Sequence, residues 1–239
     1  MKLKIATTYR FKQQLKSVGG YLVTFTIITL FFPVLALFRG LSYDNSPSDL
    51  LFPMFFFLFV VNIVTTKSDF NLFIQNGLSR RNIFLSYFLA SLGISALSTL
   101  FLMLTQILVK LVFNNQINMT LFLSDIYSPN NKIIAFLIVF IFFVFASQIG
   151  NFIGVYYIRF SKKVLFITLG LAVISPSIIG MSLYYGGAYF RQTLLSIFKF
   201  MFGVQSTYLN PYMFILSLIL LTTVFTLLIF QMNRKCEIK

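Results

Sequence analysis

The sequence predicts an all-α, polytopic membrane protein with six transmembrane helices, an N-terminal amphipathic elbow helix and both termini cytoplasmic. Three observations carry that prediction. Hydrophobic residues make up 58% of the 239 and charged residues only 10%, which leaves no soluble domain of useful size. Apolar runs long enough to cross about 30 Å of hydrocarbon as helices recur along the chain. Cationic residues collect at the ends of those runs, alternately many and few.

In chain order, residues 1–20 carry Lys2, Lys4, Arg10, Lys12 and Lys16. Phe11, Leu15 and Val18 share a helical face with Arg10, Lys12 and Lys16 off it, so this segment reads as a helix lying on the cytoplasmic surface. A bend is expected at Gly19-Gly20. The six-helix domain covers 21–232, with spans at about 21–38, 50–66, 82–109, 133–158, 164–190 and 212–232, and 233–239 is a cytoplasmic tail. Segments 1–20, 67–81, 159–163 and 233–239 hold fourteen of the nineteen Lys and Arg; Arg39, Lys110, Lys132, Arg191 and Lys199 are the other five. That asymmetry puts both termini on the cytoplasmic side of the cell membrane. On the outer side, 39–49 is short, 110–132 is longer and Asn-rich, and 191–210 has a helical stripe of Leu194, Leu195, Phe198 and Phe202. The stripe predicts a helix in the outer interface.

The polar interruption at 66–86 has the marks of a folded element. Ser68 or Asp69 can cap a helix start, after which Phe70, Phe73 and Ile74 fall on one face. Gly77 suits the left-handed residue that ends such a helix, and Ser79 can cap the next. Arg80 and Arg81 then sit in a first turn, where the macrodipole disfavours cations. They anchor the loop in anionic headgroups, or they belong to a docking helix for a cytoplasmic partner.

Residues for chemistry are scarce. The chain has no His, which removes most His-dependent catalysis and metal binding. Its single cysteine, Cys236, excludes an intramolecular disulfide. All five acidic residues (Asp44, Asp49, Asp69, Asp125 and Glu237) fall outside or at the edge of the expected spans, so proton coupling and voltage sensing are disfavoured. No GxxxxGK[ST] loop is present, and no catalytic arrangement points to an enzyme. The net charge of +14 follows from topology, so no nucleic-acid partner is expected. Within the spans, Asn62, Gln106, Gln148 and Asn151 serve interhelical hydrogen bonding or line a path for an amphipathic substrate. Ala146, Gly150 and Gly154 suit close helix packing, and Pro176 should kink the fifth span.

Taken together, the basic N-terminal helix (about 4–18), the six spans, the helix-bearing first cytoplasmic loop and the interfacial segment 191–205 resemble permease subunits of the type-2 ABC transporter family, bacterial exporters of the half-transporter class. The run Asn76-Gly77-Leu78-Ser79-Arg80-Arg81 is similar to that family's Gly-x-Ser-Arg/Lys pattern. The resemblance implies a coupling helix between spans two and three that seats in a cleft of a separate ATPase subunit. Phe70, Phe73 and Ile74 would pack in that cleft, with Gly77 and Ser79 shaping the loop. Arg80 and Arg81 would pair with acidic residues there or with lipid phosphates. It also implies ATP and Mg on the partner ATPase, none in this chain, and a second permease chain, identical or related. The uncharged interior points to a hydrophobic or amphipathic cargo such as a peptide, bacteriocin, antibiotic or lipid. Two other readings stay open: the membrane substrate-binding component of a vitamin or metal importer, and a non-transporting immunity or sensor protein.

Overall fold

The computed structural model describes residues 2–38, 48–113, 119–160, 162–185, 187–205 and 209–234. Its helices are α1 (Lys2–Phe38), α2 (Leu51–Gln75), α3 (Arg80–Val112), α4 (Phe122–Tyr127), α5 (Lys132–Arg159), α6 (Lys162–Tyr185), α7 (Ala188–Met201) and α8 (Pro211–Arg234). A two-residue parallel pairing joins β1 (Ser48–Asp49) to β2 (Met119–Thr120). The protein is thus all-helical in character. Among the described residues, five helices (α1, α2, α3, α5 and α8) are long and apolar enough to cross a membrane.

Three expectations need correction. The first concerns α1, which continues through Gly19 and Gly20, so surface helix and first span are one rod. Its buried stripe is Ala6, Arg10, Gln14, Val18 and Leu22, spaced four apart, while Leu15 is exposed. Arg10 and Gln14 therefore point inward. The second concerns α2, which passes through Ser68 and Asp69 to Gln75. There is no separate loop helix: the Ser68 hydroxyl donates to the Thr65 carbonyl at 3.0 Å, a mid-helix bond instead of a cap. The third concerns 164–190, which divides into α6, ending at Tyr185, and α7, starting at Ala188. The interfacial helix expected at 191–205 is α7, which begins earlier and carries no buried residue. Pro176 lies exposed inside α6, and the helix runs on past it.

Where glycines permit, helices approach closely. A Cβ at Gly150 would strike the Phe59 carbonyl and lie 2.8 Å from the Asn62 Cβ; one at Gly154 would lie 2.6 Å from the Thr66 Cβ. The small-residue seam Ala146, Gly150 and Gly154 therefore seats α5 on α2 within the bundle. Gly93 of α3 similarly receives the Phe11 ring of α1. Around these contacts Leu51, Met54, Leu58, Ile94, Leu102 and Phe143 form the main apolar core.

α2 runs antiparallel to α1 and α3, while α5 and α8 run parallel to each other. One end gathers the start of α1, the α2–α3 turn and the end of α8: Lys2 Nζ donates to Gly77 O at 3.5 Å, Asn233 Nδ2 to Arg80 O at 2.9 Å, and Arg80 Nη1 to Arg234 O at 3.2 Å. At the opposite end α4 meets the end of α7, where Tyr127 OH donates to Phe202 O at 2.7 Å.

Candidate functional site

Beneath the α2–α3 turn the bundle encloses a polar cluster. On α2, Asn62, Thr66 and Asp69 fall at i, i+4 and i+7 and so share one face. On α1, Arg10 and Gln14 are one turn apart, as are Tyr87 and Ser91 on α3. Asn151 on α5 completes the set, brought within reach by the glycine seam. Every one of these side chains is buried.

Arg10 is the hub. Its Nη1 donates to Asp69 Oδ2 at 2.8 Å, an ion pair whose side chains are 0% and 1% exposed. Its Nη2 donates to Asn151 Oδ1 at 2.7 Å, to Thr66 Oγ1 at 3.2 Å and to Asn62 Oδ1 at 3.3 Å. The guanidinium carbon lies 3.9 Å from the centre of the Tyr87 ring, close enough for a cation–π contact. Tyr87 OH in turn donates to Thr66 O at 3.1 Å. Gln14 Nε2 adds a 2.9 Å bond to Asn62 Oδ1, and Asn151 Nδ2 donates to Ser91 Oγ at 3.0 Å. Four helices are thereby tied through one cation. Burying a charge in this way is tolerated because it is paired and hydrogen-bonded.

The cluster corrects the expectation that all five acidic residues fall outside the spans or at their edge. Asp69 is inside α2 and turned inward, neutralised by a guanidinium that α1 supplies. It also corrects the proposed substrate path. Asn62 and Asn151 meet, but both are bound up with Arg10. Gln106 is elsewhere, donating to Met119 O at 3.2 Å near β2, and buried Gln148 has an Nε2 without a hydrogen-bond partner. Within the cluster, Arg10 Nε and Gln14 Oε1 also lack partners.

Directly above, the turn is tightly specified. Gly77 has φ +68°, Leu78 N–H donates to Phe73 O at 3.0 Å and Gly77 N–H to Ile74 O at 2.9 Å. These are the paired bonds of a Schellman motif. Ser79 Oγ then caps α3 by accepting from Asn82 N–H at 3.4 Å. Phe70 and Phe73 do not face outward: they are 0% and 3% exposed, packed with Ala6, Ile83, Tyr87 and Val155. Packing of these two rings in a partner's cleft is therefore overturned, because the chain's own α1, α3 and α5 occupy that face. Ile74 and Arg80 are half-buried. The outward surface is Asn71, Leu72, Gln75, Asn76, Gly77, Ser79 and Arg81, beside a cleft of about 290 Å³ bordered by Lys2, Ile5, Tyr9 and Leu72.

At the other end, Asp49 joins two elements: its Oδ1 accepts from Leu51 N–H at 2.9 Å and from Phe122 N–H at 3.5 Å. Burial pushes its carboxyl above the usual range, against the lowering effect of those two bonds, and nearby Asp125 adds to the rise. Among the described residues no three His, Cys, Asp or Glu side chains converge as metal ligands.

Sequence reasoning missed Arg10, Gln14, Thr66, Asp69, Tyr87 and Ser91 as members of one site. The available signal was the polar face of α2 continuing past position 66. Comparison with protein-family models, curated proteins and solved structures finds no match to this chain. Fold and site define an all-helical protein that has, among the described residues, five helices long and apolar enough to span a membrane, clamped at one end by a buried Arg–Asp pair.

Proposed function

We propose that this protein is the transmembrane permease subunit of an ATP-driven exporter, with six spans, cytoplasmic termini and a separate ATPase that holds ATP and Mg. The α6 segment supplies the remaining span, and a second permease chain completes the pathway. One observation carries the reading: the α2–α3 turn, closed by its own backbone bonds and the Ser79 cap, sits directly over the buried Arg10–Asp69 clamp. A push on Leu72, Gln75 or Arg81 is passed by α2 to Asp69 and from there, through Arg10, to α1 and by hydrogen bonds to α5. A loop that served only to anchor charges in headgroups has no need of such a clamp. Cargo is hydrophobic or amphipathic, in keeping with an aromatic-rich, largely uncharged interior.

The test is to extract the tagged protein gently from its membrane and identify what accompanies it. A stoichiometric soluble subunit with a phosphate-binding loop is expected. It should be lost from Leu72→Asp/Arg81→Glu, both exposed positions, while the variant still inserts. Recovery of no nucleotide-binding subunit, in detergent and after crosslinking alike, would overturn the reading.

A further inference from the structure

The hydrogen-bond network around Arg10 continues along the contact between α3 and α5. Asn151 Nδ2 donates to Ser91 Oγ at 3.0 Å, which fixes the register of the two helices. Ser91 Oγ in turn donates to Asn62 Oδ1 at 3.5 Å, the oxygen that also accepts from Gln14 Nε2. Because α3 and α5 run antiparallel, the next level of their contact is four positions past Ser91 and three or four before Asn151. Ser95 stands there on α3, with Ser147 and Gln148 on α5. All three are buried, as is Gln14, one turn along α1 from Arg10. Ser95 Oγ, Ser147 Oγ, Gln148 Nε2 and Gln14 Oε1 have no hydrogen-bond partner among the described residues. Other buried hydroxyls of α3 bond back to their own helix: Ser98 Oγ donates to Ile94 O and Thr99 Oγ1 to Ser95 O, both at 2.8 Å. Ser95 forgoes that bond.

The chemistry of these four atoms selects what meets them. Gln14 Oε1 only accepts, Gln148 Nε2 only donates, and each hydroxyl can do both. An anion would leave the amide oxygen facing negative charge, and a cation would leave the amide N–H facing positive charge. Either ion would also add net charge beside a cluster in which Arg10 and Asp69 already neutralise each other at 2.8 Å, and an unpaired buried charge is costly. A neutral molecule with two protons and two lone pairs suits all four. Buried water takes such places, making about three hydrogen bonds to groups that would otherwise be unsatisfied. We propose that the α3–α5 contact is an internal hydration site, where ordered water bridges Ser95, Ser147 and Gln148 and, toward α1, Gln14. The water carries the clamp's network one turn deeper into the bundle. This holds whether or not the protein is an exporter.

The test is a crystal structure of the full chain at a resolution that shows ordered water, for the parent and for Ser95→Ala/Ser147→Ala. Water density within hydrogen-bond distance of both hydroxyls is expected in the parent and should be lost from the double variant. Thermal midpoints give an independent reading. Ser95→Ala and Ser147→Ala should each lower the midpoint by several degrees. The double variant should lose less than the sum, because both hydroxyls hold the same water. Ser98→Ala, which removes a hydroxyl bonded only to a backbone carbonyl, should move the midpoint less. A parent map with the two hydroxyls bonded directly to each other, or with no density between them, would overturn the proposal. So would a midpoint that rises when either hydroxyl is removed, the result expected of groups buried without a partner. Anomalous density at the site in crystals grown with bromide or rubidium would overturn the neutral occupant.

Discussion

Replacing Asp69 by Ala strands the Arg10 guanidinium, 0% exposed, among neutral partners. Breaking a buried ion pair from one side costs about 3–5 kcal/mol. For a chain of this length each kcal/mol moves the thermal midpoint by about 2–4 °C, so Asp69→Ala should lower it by about 6–20 °C. Asp69→Asn keeps an acceptor oxygen for Nη1 and should fall between. Removing both charges with Arg10→Met/Asp69→Ala eliminates the stranded cation, and the double variant should be more stable than the sum of the singles by about 2 kcal/mol or more. Recovery will be incomplete, because Asn62 and Asn151 lose a donor each. They keep Gln14 Nε2 at 2.9 Å and Thr66 Oγ1 at 3.2 Å, which limits the residual cost to about 1–3 kcal/mol. The assay is the fraction of detergent-solubilised protein that stays monodisperse on gel filtration after heating. A cost below about 1 kcal/mol for Asp69→Ala, or strict additivity in the double variant, would refute the claim that these charges form one clamp.

Three further outcomes use the same assay. Gly20→Ala should leave the midpoint unchanged or raise it by the equivalent of up to about 1 kcal/mol, since nothing lies within 4 Å of an added Cβ; a clear loss would point to the bend that α1 does not have. Gly150→Ala should cost about 1–3 kcal/mol by forcing α2 from α5, whereas Gly180→Ala, with open space around it, should not. Asp49→Ala should cost about 1–3 kcal/mol by leaving Leu51 N–H and Phe122 N–H without their acceptor, while Asp49→Asn retains that oxygen. Burial raises the Asp49 carboxyl, so the folded state binds its proton more tightly than the unfolded chain does. Ionisation of Asp49 therefore subtracts stability as pH rises from the unfolded value through the higher folded one. Asp49→Asn should flatten that part of the stability–pH curve, and an unaltered curve would argue against it.

Local signals are legible in the sequence and tertiary ones are not. The Gly77 left-handed turn, the Ser79 cap and the Gly150–Gly154 seam each depend on a few neighbouring residues and a backbone requirement, so they were legible. The inward face of α1 was not, because Phe11, Leu15 and Val18 offered a plausible apolar face of their own. What turns Arg10 inward is Asp69, fifty-nine positions away, together with Asn62 and Asn151. No local periodicity reports partners on other helices. Hydropathy adds to this: the polar residues from Thr65 onward end the expected second span at 66, which places Asp69 outside it. In the fold those polar residues are the reason the helix continues, since their faces are satisfied by α1 and α5 in place of water.

The position of the clamp sets what the turn can move. Asp69 lies six residues before the end of α2 at Gln75, so the lever from the ion pair to the end of the helix is short and helical throughout. From Arg10 the constraint divides: one branch follows α1 toward its far end, and another passes through Asn151 to α5, where the glycine seam keeps helix and helix in direct backbone contact. Coupling by α8 is of another kind, through buried Asn233 and exposed Arg234 to the first residue of α3 and through the apolar packing of Ile229 and Met232, without a buried charge. Hydrogen bonds from the buried cation thus join α1, α2 and α5 directly, and α8 joins them by apolar packing of Ile229 with Phe70, Phe73 and Val155. If the clamp transmits motion, Arg10→Met/Asp69→Ala should release α1 from α2 and α5 even where stability is largely restored. A spin-label pair on the exposed positions Ile5 and Leu72 would then show a broader distance distribution in the double variant than in the parent. Equal widths would mean that the apolar packing of Ala6 against Phe70 and Phe73 holds the corner by itself, and that the charges contribute stability alone.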